Sequence, residues 1–433
     1  METVLIAVVI LVVVLLLGVP IPFAFFASSF SIVVLGGYDY SFLMPYGFSK
    51  VSSIILVAIP LFILAGNLME DSGIAESLIN FVDMFVGRIK GGLGIVMVVS
   101  CALFGAISGS GFATLSSIGA IMLPRMYKAG YPRGVSAALI SSASLLGLLI
   151  PPSLNMILYA FIGGQSVLAC FLATVIPGII LVILFSAVNM WLLRNNKDIK
   201  LADPMPRDVY FKTLGKRTRR AIPAMVAPFI ILGGIYGGFM TPTEAAAVSV
   251  VYTIPVGFLV YRGLKKDNFK SSLVKASTTA GVVMLMLFSV MVLSRLYVME
   301  NVPQLILDFM MGITENRAAL ILMLNLFLIV IGMLMDDTSA ILLTTPILLP
   351  VAIQLGIHPV HYAAIIGVNL GLGCVTPPTA PFLYLGSRIG NAPINEMMGP
   401  TMWLIFLAWI PALILTTYIP GLALFLPRMF GFV

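Results

Sequence analysis

"SLLGLLIPPSLNMILYAFIGG", residues 144–164, is almost wholly apolar yet carries Pro151 and Pro152 at its centre. A proline inside a helix removes a backbone donor and clashes with the preceding turn, at a cost of about 3 kcal/mol or more. Such a pair is tolerable where one half-helix stops and another starts, because a first-turn donor has no partner to lose. The device recurs in "GLGCVTPPTAPF", residues 371–382, as Pro377 and Pro378, an offset of 226 (377 − 151). At that offset, without a gap, Leu123, Pro124, Gly130, Gly147 and Gly164 fall on Leu349, Pro350, Gly356, Gly373 and Gly390. A fixed internal period marks a repeat. We read two of them, 50–193 and 276–427, inside a single membrane domain 1–433.

Composition decides the solvent around these breaks. Hydrophobic residues make up 60% of the 433 positions and charged ones 9%, and the mean hydropathy is +1.10. No soluble domain of this length has that balance. Apolar runs of about 20 residues, the length that crosses hydrocarbon, leave room for roughly ten to twelve transmembrane or re-entrant segments. The fold class is therefore an all-α polytopic membrane protein. The first run, "METVLIAVVILVVVLLLGVPIPFAFF" (1–26), lacks a basic start and is too apolar for too long to be a secretory signal. It is expected to stay as a transmembrane helix. Cys101, Cys170 and Cys374 lie far apart in apolar segments, which excludes a disulfide framework or a cysteine metal site and leaves packing.

The net charge of +7 sits mainly in 194–220 and 262–275. Lysine and arginine near helix ends mark cytoplasmic connections, so 194–221 reads as a basic cytoplasmic loop and 222–275 as a linking helix pair with a second basic loop. This charge fits anionic lipid at the bilayer surface rather than nucleic acid. Repeat one ends at a basic connection, whereas repeat two ends in a segment whose one basic residue is Arg428. That asymmetry favours an inverted repeat. Proline- and glycine-broken segments at matching places in two halves point to a secondary transporter with its site at the repeat interface.

Candidate site residues follow from the breaks. In "FGAISGSGFATLSSIGAIMLP" (104–124), Ser108, Gly109 and Ser110 interrupt two apolar arms, as in a hairpin whose freed carbonyls and hydroxyls suit a hard cation such as Na⁺. Close helix packing through Gly105 and Gly109 is the alternative. Its counterpart, "GMLMDDTSAILLTTPILLP" (332–350), sets Asp336, Asp337 and Thr338 between apolar runs. Intramembrane carboxylates are functional candidates, although Asp-Asp-Thr-Ser is also good N-cap chemistry. The double prolines add Pro151, Pro152, Ser153 and Asn155 in one half and Thr376, Pro377, Pro378 and Thr379 in the other. A half-helix beginning there presents N–H groups and a positive dipole end that can hold a carboxylate; a simple kink is the alternative. Arg295 could grip a carboxylate bidentately, but its nearness to a helix end also fits snorkelling to the interface. His358 and His361 lack a third ligand, and no nucleotide motif is present. With two histidines and scattered cysteines, an enzyme is not expected.

Four separated strings, "FGAISGSGFATLSSIGAIMLPRMYKAGYPRGVSAAL", "LLIPPSLNMILYA", "GGFMTPTEAAAVSVVY" and "GCVTPPTAPFLYLG", occur in order. Together they resemble the large membrane subunit of tripartite ATP-independent periplasmic (TRAP) transporters over essentially the whole chain. The resemblance implies two inverted repeats, each giving a re-entrant hairpin and a broken helix to a mobile transport domain that slides, elevator-fashion, against a scaffold. It implies Na⁺-driven uptake of an organic acid, of the sialic acid or C4-dicarboxylate kind, across a bacterial inner membrane, with no covalent cofactor. The implied partners are a small four-helix membrane subunit, expected as a separate chain, and a periplasmic substrate-binding protein. Carried over, Ser108, Ser110, Pro151 to Ser153, Asp336 to Thr338 and Thr376 to Thr379 become sodium and substrate candidates. A stand-alone Na⁺/carboxylate symporter with the same repeats is the other reading.

Overall fold

A computed structural model describes residues 2–200 and 206–433, and these residues fold into helices without a strand. Eight helices are long and apolar enough to cross a membrane, or nine when the bent pair Arg133–Leu149 and Leu154–Gly163 counts as one span. Shorter apolar helices, among them Gly92–Ser108 and Pro359–Val375, supply the re-entrant and broken segments.

The repeat holds at the level of element boundaries. Helix Gly111–Lys128 maps at offset 226 onto Asp337–Gln354 (111 + 226 = 337; 128 + 226 = 354). The helical stretch Arg133–Leu149 maps onto Pro359–Val375 in the same way (133 + 226 = 359; 149 + 226 = 375). Hairpin one is thus Gly92–Ser108 with Gly111–Lys128, and hairpin two is Arg317–Leu334 with Asp337–Gln354. Broken helix one runs through Leu149, breaks at the double proline and resumes as Leu154–Gly163; broken helix two resumes as Pro381–Gly390. Both Pro–Pro peptide bonds are cis.

Packing repeats as well. A Cβ on Gly105 would overlap the backbone of Gly147, and one on Gly373 would overlap that of Gly332. In each half the hairpin therefore lies on its own broken helix at a separation only glycine allows. Across the halves, Gly390 meets Leu123 while Gly163 meets Leu349, two reciprocal contacts (123 + 226 = 349).

Counting crossings gives the sense of the repeat. A hairpin returns to its starting face whether or not its arms cross. Between the start of hairpin one and that of hairpin two lie five further crossings: broken helix one, Val167–Leu193, Arg207–Tyr236, Pro242–Tyr261 and Lys266–Met299. Val302–Ile313, with 12 residues, is about 18 Å long and too short to cross. An odd number inverts the second repeat. The path agrees with contacts at both faces, since Lys90 donates to the Arg194 carbonyl on one face and the Tyr159 hydroxyl to the Pro359 carbonyl on the other. Of the 24 lysines and arginines, this path leaves only Lys50, Arg295, Arg317 and Arg428 on the second face. Such a one-sided distribution of basic residues is the pattern that the positive-inside rule describes.

Three expectations change. Residues 1–26 do not form one spanning helix: Glu2–Leu16 and Ile21–Gly36 fold back on each other, with the Ser28 hydroxyl donating to the Ala7 carbonyl at 3.0 Å. The chain turns at Gly18, whose φ is 79°, and Pro20 caps the start of the second helix. Most of the basic connection 194–221 past residue 206 is helical, because Arg207–Tyr236 is one helix of 30 residues; positions 201–205 lie outside the described residues. The second basic loop shrinks likewise, since a helix of 34 residues starts at Lys266. Arginine and lysine are good helix formers, and helices of about 45 and 51 Å outreach the ~30 Å hydrocarbon core and carry their basic ends into water.

Candidate functional site

Hairpin one turns through Gly109, whose φ of 63° only glycine adopts without strain. Ser110 then caps the second arm, accepting from the Ala113 N–H. Thr114 donates to the Ser110 carbonyl at 2.7 Å and its hydroxyl lies 3.3 Å from that of Ser108, so three hydroxyls and a bent backbone gather at the tip. The tip rests on the resumed half of broken helix one, where the Leu154 N–H reaches the Gly109 carbonyl at 3.4 Å.

Hairpin two turns just before Asp336, whose carboxylate caps the second arm by accepting from the Ser339 N–H at 3.1 Å and from the Ser339 hydroxyl. The cap reading of this motif therefore holds for Asp336. Asp337 is different. It is only 3% exposed, and the amide of Asn155 donates to its carboxylate at 2.6 Å across the repeat boundary. Thr338 donates to the Asn155 carbonyl oxygen at 3.3 Å. Neither ion pair among the described residues, Arg125–Glu76 or Arg217–Asp83, involves it. A buried carboxylate held by one amide and no cation is costly unless a proton or a metal cation joins it.

These tips converge on a cavity of about 700 Å³. Ser108, Gly109, Ser110, Asn155, Asp336, Asp337 and Thr338 line it from the hairpins and broken helix one. The opposite wall comes from helices Ile54–Ser72 and Lys266–Met299, through Asn67, Glu70, Thr278 and Thr279 among apolar neighbours. A Cβ on Gly66 in that wall would stand 2.9 Å from the Ser108 carbonyl oxygen, so this wall touches hairpin one at its tip. Three carboxylates line the cavity and no lysine or arginine does.

Seven of the expected site residues are thus brought together, and eight are not. Pro151, Pro152 and Ser153 stay behind the lining; Ser153 donates to the Leu148 carbonyl at 2.5 Å and so completes the end of the first half-helix. Thr376 donates to Leu372, and Thr379 to Met333, while Pro377 and Pro378 belong to the same turn away from the cavity. At offset 226 Asn155 maps onto Pro381 (155 + 226 = 381), and the next residue, Phe382, is stacked on Phe112 with ring centroids 4.2 Å apart. Arg295 lies over the Tyr46 ring, 5.8 Å from its centroid, outside the cavity. Asn67, Glu70, Thr114, Thr278 and Thr279 escaped the sequence reading, and no motif marks them.

The model of the family described as tripartite ATP-independent periplasmic transporter, DctM component, matches residues 8–422. The isethionate TRAP transporter permease protein DctMQ of Oleidesulfovibrio alaskensis is 34% identical over 94% of this chain, which spans 64% of that relative's length. The C4-dicarboxylate TRAP transporter large permease protein DctM of Pseudomonas aeruginosa is 35% identical over 87% of both chains. The sialic acid TRAP transporter large permease protein SiaM of Vibrio cholerae is 32% identical over 95% of this chain and 96% of its own. The crystal structure of the Alcanivorax borkumensis YdaH transporter shares the fold, with a TM-score of 0.59 over 88% of each chain at 13% identity.

Proposed function

The chain belongs to the DctM component family of tripartite ATP-independent periplasmic transporters, and we propose that it is the subunit through which a small organic acid crosses a bacterial inner membrane, driven by Na⁺. The acid is of the class named for its relatives: a C4-dicarboxylate, a sialic acid or isethionate. The observation that carries the proposal is the cavity between the hairpin tips and the opposing helices, with the uncompensated Asp337 in its wall.

The lining supports sodium coupling by its charge. An anion entering a space edged by Asp336, Asp337 and Glu70, with no lysine or arginine, is repelled. Sodium held by the Asp337 carboxylate, the Ser108 and Thr338 hydroxyls and the Gly109 carbonyl reverses that repulsion. Oxygen donors of this kind suit a hard cation. The acid's carboxylate is then received by the N-terminal end of Leu154–Gly163, where Asn155 stands. Because the coupling is a shared free energy, sodium raises the affinity for the acid by the factor by which the acid raises that for sodium.

Hairpins and broken helices supply most of the polar lining and move as one body; helices Ile54–Ser72 and Lys266–Met299 belong to the fixed one. Sliding of the loaded body past the fixed wall exposes the cavity to the other face. A small membrane subunit and a periplasmic binding protein complete the machine. The test is uptake of labelled succinate, N-acetylneuraminate and isethionate into proteoliposomes holding this chain, the small subunit and the binding protein. Uptake of at least one acid that requires an inward Na⁺ gradient is expected; uptake indifferent to Na⁺ contradicts the coupling. Omitting the binding protein separates this reading from a stand-alone symporter, which keeps its activity.

A further inference from the structure

A second pocket, of about 330 Å³, opens between the same two bodies on the face opposite the basic one. Its fixed wall is made by Tyr46, Ser49, Lys50 and Ser53, with Met291 and Ser294 from helix Lys266–Met299. Its other wall is Phe161, in broken helix one, and Pro346, in hairpin two. No carboxylate lines it.

Only four cations lie on this face; Lys50 lines the pocket, and Arg295, next in sequence to the lining residue Ser294, stands at its edge against the same Tyr46 ring. Lys50 stands 5.5 Å from the centroid of the Tyr46 ring, and Arg295 stands 5.8 Å from the same centroid. Neither forms an ion pair among the described residues. Arg317, by contrast, is occupied by the Leu355 and Gly356 carbonyls, and the nearby Glu300 accepts from the Tyr38 hydroxyl. Two unpaired cations on one ring, beside three serine hydroxyls, form a receptor for a carboxylate or sulfonate.

Register ties this pocket to the cavity. Phe161 is six residues beyond Asn155 on one helix, about 9 Å along its axis, and Pro346 is nine beyond Asp337 on another, about 14 Å. Both helices run toward the same face. Raising the mobile body by about 9 to 14 Å would therefore bring Asn155 and Asp337 to the height of the pocket.

We propose that Lys50 and Arg295 form a docking site for the organic acid on the fixed wall, completed by Asn155 and Asp337 when the mobile body faces outward. The site rests on the transporter reading above. It supplies, on the outer side, the positive charge that the inner cavity lacks. The acid is held by fixed cations when it enters, and by sodium and the N-terminal end of Leu154–Gly163 when it leaves.

The test places a thiol in the pocket by Ser49→Cys, the three native cysteines being buried, in the assembled membrane complex in proteoliposomes without binding protein. Anionic methanethiosulfonate ethylsulfonate should react there about tenfold faster than the cationic trimethylammonium reagent, each rate normalised to a free thiol. Lys50→Gln with Arg295→Gln should abolish that preference. Succinate, N-acetylneuraminate or isethionate, whichever the full system transports, should slow labelling about threefold at a few times its dissociation constant. In the full system, Arg295→Gln should raise the acid concentration for half-maximal uptake about tenfold. Equal rates for the two reagents, or labelling unchanged by the transported acid, overturns the docking site while Na⁺-driven uptake by matched vesicles supplied with the binding protein stands. Protection by the binding protein but by no free acid also overturns it and assigns the two cations to protein docking. Absence of any uptake by the unsubstituted complex removes the transporter reading, and the docking site with it.

Discussion

Each hairpin tip touches the resumed half of the other repeat's broken helix, and the two junctions are chemically opposite. At one, Asp337 accepts from Asn155, with Thr338 alongside. At the other, the counterpart of Asp337 is Gly111 and that of Thr338 is Phe112 (337 − 226 = 111; 338 − 226 = 112), and both pack on Phe382. The backbone device is the same. A charge needs a compensating ion, whereas two stacked rings need only each other. The inverted repeat thus builds two equivalent joints, and the side chains make one a buried polar contact, the one we propose holds sodium, and the other an apolar latch.

Substitutions can break or sharpen that contrast. Phe382→Ala deletes a fully buried ring and should lower stability by about 3 kcal/mol; the Na⁺ concentration for half-maximal uptake should not move. Thermal unfolding in detergent beside Na⁺ titration of uptake reads both. Asp337→Asn should raise that Na⁺ requirement about 100-fold, because the amide carries no charge to hold the ion. The folded state should persist, since the neutral side chain no longer needs a cation in its buried place. Asn155→Ala leaves the carboxylate without its donor and should shift the Na⁺ requirement about tenfold. Thr338→Val, which removes a contact of 3.3 Å, should shift it about twofold. Equal shifts from Phe382→Ala and Asn155→Ala would erase the distinction between the junctions.

The breaks were legible in the sequence because prolines and glycines are conspicuous in apolar runs, and because they recur at one offset. The hairpin tips were legible for a similar reason: serines and aspartates stand out where water is absent. Symmetry misled where it was extended to side chains. Ser153 and Thr379 follow matching prolines, yet both hydroxyls are spent on carbonyls, and only the first half-helix brings a polar residue, Asn155, to the cavity. Asn67, Glu70, Thr278 and Thr279 come from helices distant in sequence, and their shared wall exists only after folding. The basic stretches read as loops because charge marks the face of the membrane and says nothing of whether the backbone stays helical.

The central claim is that the polar junction, and not its aromatic twin, holds the coupling ion. The direct measurement is the thermal stability of the purified membrane complex against Na⁺ concentration, with K⁺ as control, for the unsubstituted chain, Asp337→Asn and Phe382→Leu. Na⁺ but not K⁺ should raise the melting temperature of the first; Asp337→Asn should abolish the rise, and Phe382→Leu should start lower and rise by as much. A Na⁺ response that survives Asp337→Asn and disappears with Phe382→Leu would contradict the account.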